Sequence, residues 1–447
     1  MVFADPHMIG KVIQRDGLCQ MLTQIVHGGL YIGVGRAVGP LYGVLGAEDL
    51  NKLEDLGANM KNIHKVMAVH VLVALGNGRK QVAQRVVCNG VAVIATVDDM
   101  HYEPALLAIE KGYDLLLEKP VAPTAKQCAD IANAARKKGV NVLVCHVLRY
   151  TPFYGKVKEL LMSGIIGQVM SIDQVEGIGN VHFSHSYVRG NWHTTRNSAP
   201  MLLAKSCHDL DIIQWLLDAS CKRVSSFGAL THFVPENAPE GAPVRCADGG
   251  CPVGDTCPYN CIKHYYDFKT NTRRSIITTG ISKDFEPTDE EVMQALNTTD
   301  YGLCVYHANN DVLDHQTVNM EFEGGATATL NVNAFNKGGR YIRIYGTKGE
   351  LFAYMASTEI SVYTFEDKQT IKVPVMRTEE SINGGHGGGD YGIIKELYEY
   401  LTGDYKGFRA ADVQTSVQNH MIGFAAETAR ETGTVVAVDQ VLKQYGM

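Results

Sequence analysis

Between Val91 and Cys145 short unbroken apolar runs alternate with amphipathic stretches: VAVIAT, EPALLAIEKG, YDLLLE, a helical stretch over 123–138, then VNVLVC. The runs have strand length and no polar alternation, as expected of parallel strands covered by helices on both faces. Strand, helix, strand, helix, strand with right-handed crossovers predicts half of a doubly wound sheet. Ligands of such sheets bind beyond the carboxyl ends of the strands. Polar residues gather there: Thr96, Asp98 and His101 after the first strand, Glu118 and Lys119 after the second, His146 and Arg149 after the third.

Upstream, LYIGVGRAVGPLYG reads as a strand and a glycine turn, with Pro40 opening a helix towards Leu56. Gly33, Gly35 and Gly39 spell G-x-G-x-x-x-G, one residue longer than the fingerprint that lets backbone approach a pyrophosphate. A strand over 66–74 would end in GNGRK, without the acid that holds a ribose hydroxyl. Arg79 and Lys80 there suit the 2′-phosphate of NADP. The opening MVFADP also reads as a strand ending in an acid, Asp5, but it precedes the glycines, so two orders of elements stay open.

Beyond Arg149 a helix over 152–163 leads into β-rich runs: VMSIDQVEGIG, TVNMEFEGGATATLNVNAF, YIRIYGTKGELFAY, EISVYTF and QTIKVPV. With their glycine-containing turns they predict a large, open, mostly antiparallel sheet. Helices are expected over 200–217, from Tyr391 with Asp390 as its N-cap, and from Asp412. The division that follows is a doubly wound α/β domain over 1–147 and a second α/β domain over 148–447. Five of the fourteen prolines fall within 235–258, marking a structured insertion at about 235–262.

Composition narrows the function classes. At 447 residues, with 45% hydrophobic and 20% charged, the chain suits two or three globular domains and excludes disorder. Acidic residues number 48 against 41 basic, for a net charge of −7 without a dense basic stretch, so nucleic acid and membrane are not expected as partners. No apolar run approaches the ~20 residues of a spanning helix, and the amino terminus lacks a basic flank leading into one; a cytoplasmic protein is expected. Most of the eleven cysteines stand singly in apolar stretches, as reduced core residues do. Cys246, Cys251, Cys257 and Cys261 instead share one loop. Zinc held by Cys246, Cys251, Cys257 and a fourth thiolate, from Cys261 or Cys304, is one reading, and free thiols the other.

LLLEKPVAPT, with MHYEPALLAIEKGYDLLLEKP, CHVLRYTPFYGKVKELLMSGIIGQVMSI and SAPMLLAKSCHDLDIIQWLL, resembles the glucose-fructose oxidoreductase / inositol dehydrogenase (Gfo/Idh/MocA) family from about Val91 onwards. The resemblance implies a Rossmann domain binding NAD or NADP, an α/β domain with an open sheet binding a sugar-like substrate, and a homo-oligomer. It places Lys119 of Glu-Lys-Pro at the active site with a cis bond to Pro120, and His208 as proton acceptor. Cofactor contacts fall to Thr96, His101, Glu118 and Lys119, joined by Gly33 and Gly35 of the glycine turn; Arg149 is a further cofactor candidate and Tyr150 a substrate candidate unless they only cap the sheet, and Trp192, Asp211 and His386 are the other substrate candidates. Two positions depart from the family pattern: Ala204 stands where an Asp is usual, with Lys205 beside it, and Val97 replaces a Pro. On a continuous helix Lys205 shares a face with His208 and would be a second positive group in the catalytic set. The expected reaction is hydride transfer between a ring hydroxyl of a sugar, cyclitol or glycoside and the nicotinamide. A glycosidase working by transient oxidation, and a non-catalytic cofactor-binding regulator, are the alternatives.

Overall fold

The computed structural model describes residues 91–196, 198–266, 288–376, 385–402 and 405–447. The expectations for Asp5, Gly33, Gly35, Gly39, the strand over 66–74, Arg79 and Lys80 lie outside these residues. Three parallel strands, β1 (Val91–Ile94), β2 (Asp114–Leu117) and β3 (Val142–Val144), pair in the order β1-β2-β3. Helices α1 (Tyr102–Glu110) and α2 (Ala125–Lys138) connect them. Thr124 caps α2 by accepting the Gln127 N–H, and Gly139 ends it at φ 72°, a left-handed turn that glycine adopts without strain. Alternate strand residues face opposite ways. Ala92, Ile94, Leu115, Leu117, Val142 and Val144 join the main core beneath α1 and α2. Val91, Val93, Leu116 and Leu143 meet Ile393, Ile394 and Leu397 on the other face.

Helix α3 (Pro152–Met162), its Pro at the first turn and Thr151 as cap, leads into the second sheet. That sheet contains β4 (Val169–Gly177), β5 (Cys221–Ala229), β6 (His315–Phe322), β7 (Thr327–Asn333), β8 (Gly339–Gly346), β9 (Gly349–Tyr354), β10 (Glu359–Thr364), β11 (Gln369–Pro374) and β12 (Val436–Ala437). The order is β11-β10-β9-β8-β4-β7-β6-β5-β12, and only β4 and β7 run parallel. Helix α4 (Cys207–Leu217) packs on β4 and β7. Capped by Thr288 and Glu291, α5 (Asp289–Thr298) sits beside the insertion. Helix α6 (Gly389–Thr402) packs on the second face of the parallel sheet. Helix α7 (Val413–Thr432), capped by Asp412, packs on β5, α4 and α2. The chain before α7 also extends the parallel sheet: Val144 N–H donates to the Ala411 carbonyl at 2.8 Å.

Two helical expectations need correction. The segment over 200–217 is not one helix; a turn at Met201–Ala204 stops at Lys205 and Ser206, and α4 starts afresh. The Ser206 carbonyl accepts both the Asp209 and Leu210 N–H groups, so it serves as the start of a new helix. Asp390 does not cap α6 from outside; it lies within the first turn and binds His386.

Candidate active site

Loops after the three parallel strands are tied to one another. His101 is fully buried, its Nδ1 2.7 Å from the Pro120 carbonyl and its Nε2 3.1 Å from that of Thr96, so it clamps two strand ends and offers no nitrogen to a ligand. Among the described residues the Thr96 hydroxyl is buried without a partner. Glu118 accepts the Lys119 backbone N–H at 2.9 Å; burial raises its pKa, and Lys119 opposes the rise. The Lys119–Pro120 bond is cis, as the resemblance implies. The Lys119 ammonium donates to the Ala204 carbonyl at 3.0 Å, one turn before His208.

His208 is 5% exposed, and among the described residues its Nδ1 has no partner. Burial, then the charge of Lys119, pushes its pKa well below that of an ordinary imidazole. The ring is therefore neutral at neutral pH, the form that accepts a proton. His386 reaches the rim: its ring centroid lies 6.2 Å from that of His208, and its Nδ1 lies 3.0 Å from Asp390. Lys119, His208, His386, Glu118 and the orphaned Thr96 hydroxyl thus converge beyond the strand ends.

Three other candidates stand behind the site instead of lining it. Arg149 and Asp211 form a buried bidentate pair with both contacts at 2.7 Å, and Asn419 donates to the same carboxylate at 2.8 Å. Each neutralises the other, which leaves neither free for a cofactor or substrate. Tyr150 is 3% exposed, and its hydroxyl accepts the Ala411 N–H at 3.3 Å, securing the β3 edge.

Lys205 also differs from its expected place. Because the helix breaks at Lys205 and Ser206, its side chain turns to Glu176 on β4, Nζ to Oε1 3.7 Å. Arg340 of β8 bridges Glu176 at 2.7 Å and Asp209 at 2.9 Å. Burial lowers the pKa of Lys205, and Glu176 opposes that. Its charge is balanced within this network and is not a free second cation beside His208.

Trp192, expected on the substrate side, lines a cleft of about 380 Å³ with Val97, Asp99, His193 and Tyr301. Its indole N–H donates to Asp98 at 3.0 Å, and the Ser198 hydroxyl donates to the same oxygen at 2.8 Å. Sequence reasoning missed Ser198 and Arg189. Arg189, buried, donates to the carbonyls of Leu303 and Tyr259 and braces the insertion. Neither lies in a motif whose spacing announces its partner.

The cysteine loop does not support zinc. Cys246, Cys251, Cys257 and Cys304 line a cavity of about 230 Å³, yet all are free thiols, and no group of three metal donors exists among the described residues. The Cys246 sulfur instead accepts the Cys261 N–H at 3.4 Å, and the Cys257 sulfur that of Tyr259 at 3.4 Å. Among the described residues no helix is long and apolar enough to cross a membrane.

Comparison with known proteins agrees with this fold. The family described as "Oxidoreductase family, NAD-binding Rossmann fold" matches residues 32–146, and "Oxidoreductase family, C-terminal alpha/beta domain" matches 158–438. YteT of Bacillus subtilis (strain 168), an oxidoreductase by name, is 27% identical over 327 residues, 69% of this chain and 72% of that protein. The inositol 2-dehydrogenase/D-chiro-inositol 3-dehydrogenase of Lactiplantibacillus plantarum is 28% identical over 138 residues, 31% of this chain and 36% of that enzyme. The structure of levoglucosan dehydrogenase with NADH and levoglucosan shares the fold at a TM-score of 0.54, with 15% identity, over 78% of this chain and 81% of that one. With both domain descriptions matched in order along the sequence, this chain belongs to the Gfo/Idh/MocA oxidoreductase family and carries its NAD-binding Rossmann fold.

Proposed function

We propose that the protein is an NAD(P)-dependent dehydrogenase that oxidises a ring hydroxyl of a sugar, cyclitol or glycoside. The observation that carries the reading is the meeting of Lys119 with the neutral, buried His208: the Lys119 ammonium is held on the carbonyl one turn before it. A dinucleotide fits the strand ends, where the orphaned Thr96 hydroxyl, Glu118 and Lys119 would hold its nicotinamide end. Gly33 and Gly35, outside the described residues, are proposed beneath the pyrophosphate. NAD, when bound, supplies the hydride acceptor for the carbon bearing the hydroxyl. His208 takes the hydroxyl proton, and Lys119 stabilises the negative charge growing on that oxygen. Trp192 offers an aromatic face to a sugar ring, and His386 closes the rim.

The substrate class rests on relatives named for inositol and levoglucosan. The test is to incubate the protein with NAD or NADP and a panel of myo-inositol, levoglucosan, glucose and an aryl glycoside. Accumulation of reduced cofactor with a ring alcohol is expected. Release of aglycone without net reduction would point to the glycosidase, and binding of neither dinucleotide would refute the proposal.

A further inference from the structure

His146, at the end of β3, is fully buried, and among the described residues neither ring nitrogen has a hydrogen-bond partner. Such groups are rare in folded proteins because an unpaired buried polar atom costs stability. Two orphan nitrogens on one ring therefore call for a role, and the surroundings limit it.

Three groups pack near enough to matter. His420 lies 5.7 Å away between ring centroids, but its Nε2 already accepts the Val121 N–H at 3.0 Å and its Nδ1 contacts the Ser416 carbonyl at 2.7 Å. Nothing of it is left for His146. Asp211 has an oxygen 3.9 Å from His146 Nε2 and is held in place by Arg149 and Asn419. His208 lies 5.9 Å away between centroids, edge to face at 81°, and its own Nδ1 is the other orphan nitrogen on this side of the site. Ala204, one turn before it, has no side-chain acceptor.

A neutral imidazole that takes a proton on Nε2 carries its hydrogen on Nδ1, and that hydrogen needs an acceptor. The negative carboxylate 3.9 Å from His146 Nε2 favours the hydrogen on that nitrogen electrostatically, which leaves Nδ1 as a lone pair. We propose that His146 is a positioning residue: steadied by Asp211, it accepts the Nδ1–H of His208 and so keeps His208 Nε2 free as the base. The 3.9 Å from His146 Nε2 to Asp211 is longer than a hydrogen bond, as is common before a substrate tightens such contacts. Other charged or titratable groups that act on the pair are Arg149 and Lys119 at His146, and Lys119, Arg340 and His386 at His208.

This inference rests on His208 being the base, and the experiment separates the two. NMR of the full-length protein carrying isotope-labelled histidine reads which nitrogen of His208 bears the hydrogen, with the signal assigned by its loss in His208→Ala. The Nδ1–H form is expected in the native protein and a shift towards Nε2–H in His146→Phe. On the ring alcohol found by the panel, His146→Phe should lower kcat about 10- to 100-fold with KM unchanged, the size typical of losing a group that orients a first-line residue. His146→Gln, whose amide oxygen can accept the same hydrogen, should recover most of that loss, and this variant carries the test should the phenylalanine protein unfold. A native His208 protonated on Nε2, or a His146→Phe enzyme unchanged in both tautomer and kcat, would overturn the relay. Native turnover in His208→Ala would instead remove the base itself, while the tautomer measurement still judges the His146 contact.

Discussion

His208 and Asp209 are neighbours on α4, yet they face two buried polar regions of opposite character. On the Asp209 side every strong charge has a counterpart: Lys205 with Glu176, Glu176 with Arg340, Arg340 with Asp209, and Gln174 donating to Asp209 at 2.8 Å. On the His208 side, among the described residues, no hydrogen bond reaches the Thr96 hydroxyl, either nitrogen of His146 or Nδ1 of His208, whereas on the Asp209 side only one oxygen each of Gln174 and Glu176 is left without one. Leaving such groups unpaired opposes folding, so their accumulation at the strand ends supports the proposed site there. The charge-paired side fastens α4 to the second sheet; in the proposed function the other side is the one turned to substrate.

If that contrast is right, substitutions on the two sides should separate activity from stability. Lys119→Ala should give the largest effect, a fall in kcat of roughly 10²- to 10⁴-fold, the range for losing a group that acts on the transferring proton or its oxygen. Steady-state kinetics with the thermal midpoint measured alongside would check that the fold persists. Asp209→Ala should do the reverse and destabilise by about 3–5 kcal/mol, because it leaves Arg340 buried with half its partners; denaturant titration reads this. An Asp209→Ala protein of native stability would erase the distinction between the two sides.

A smaller effect sharpens the contrast by pH. Burial and Lys119 both lower the His208 pKa, so its base form persists into more acidic solution than an ordinary imidazole allows. The acid limb of kcat should then lie below ~6.5, the reference value for histidine. Lys119→Met removes the cation while burial remains, so the limb should move upward in the residual activity; a downward shift would contradict the assignment. Smallest of all, Arg189→Met should cost about 1–3 kcal/mol by stranding the Leu303 and Tyr259 carbonyls, with little change in kcat. Calorimetry and kinetics together would show whether the insertion is braced from there.

The parallel strands were legible because they are unbroken apolar runs, and the later strands because their turns carry glycine. The bulge between Cys221 and Arg223 interrupts the alternation of β5, which hid it. Two helix starts differ in their signals: Thr288 with Glu291 forms a capping box before α5, whereas the break before α4 opens at Ser206, whose side chain makes no capping bond. Missing the second made Lys205 and His208 look like one face. Lys119, His208 and Thr96 could be picked out from strand ends and motif. The pairing of Arg149 with Asp211, 62 positions apart, and the meeting of Glu176, Asp209 and Arg340 could not, since each depends on how separate elements pack.

The most direct measurement is kcat of His208→Ala on the identified ring alcohol, with NADH affinity determined on the same preparation by fluorescence. The expected result is a loss of roughly 10²- to 10⁴-fold in kcat with cofactor affinity and fold unchanged. Near-native turnover with cofactor bound would contradict His208 as the base and, with it, the division of α4 into a reactive and a structural side.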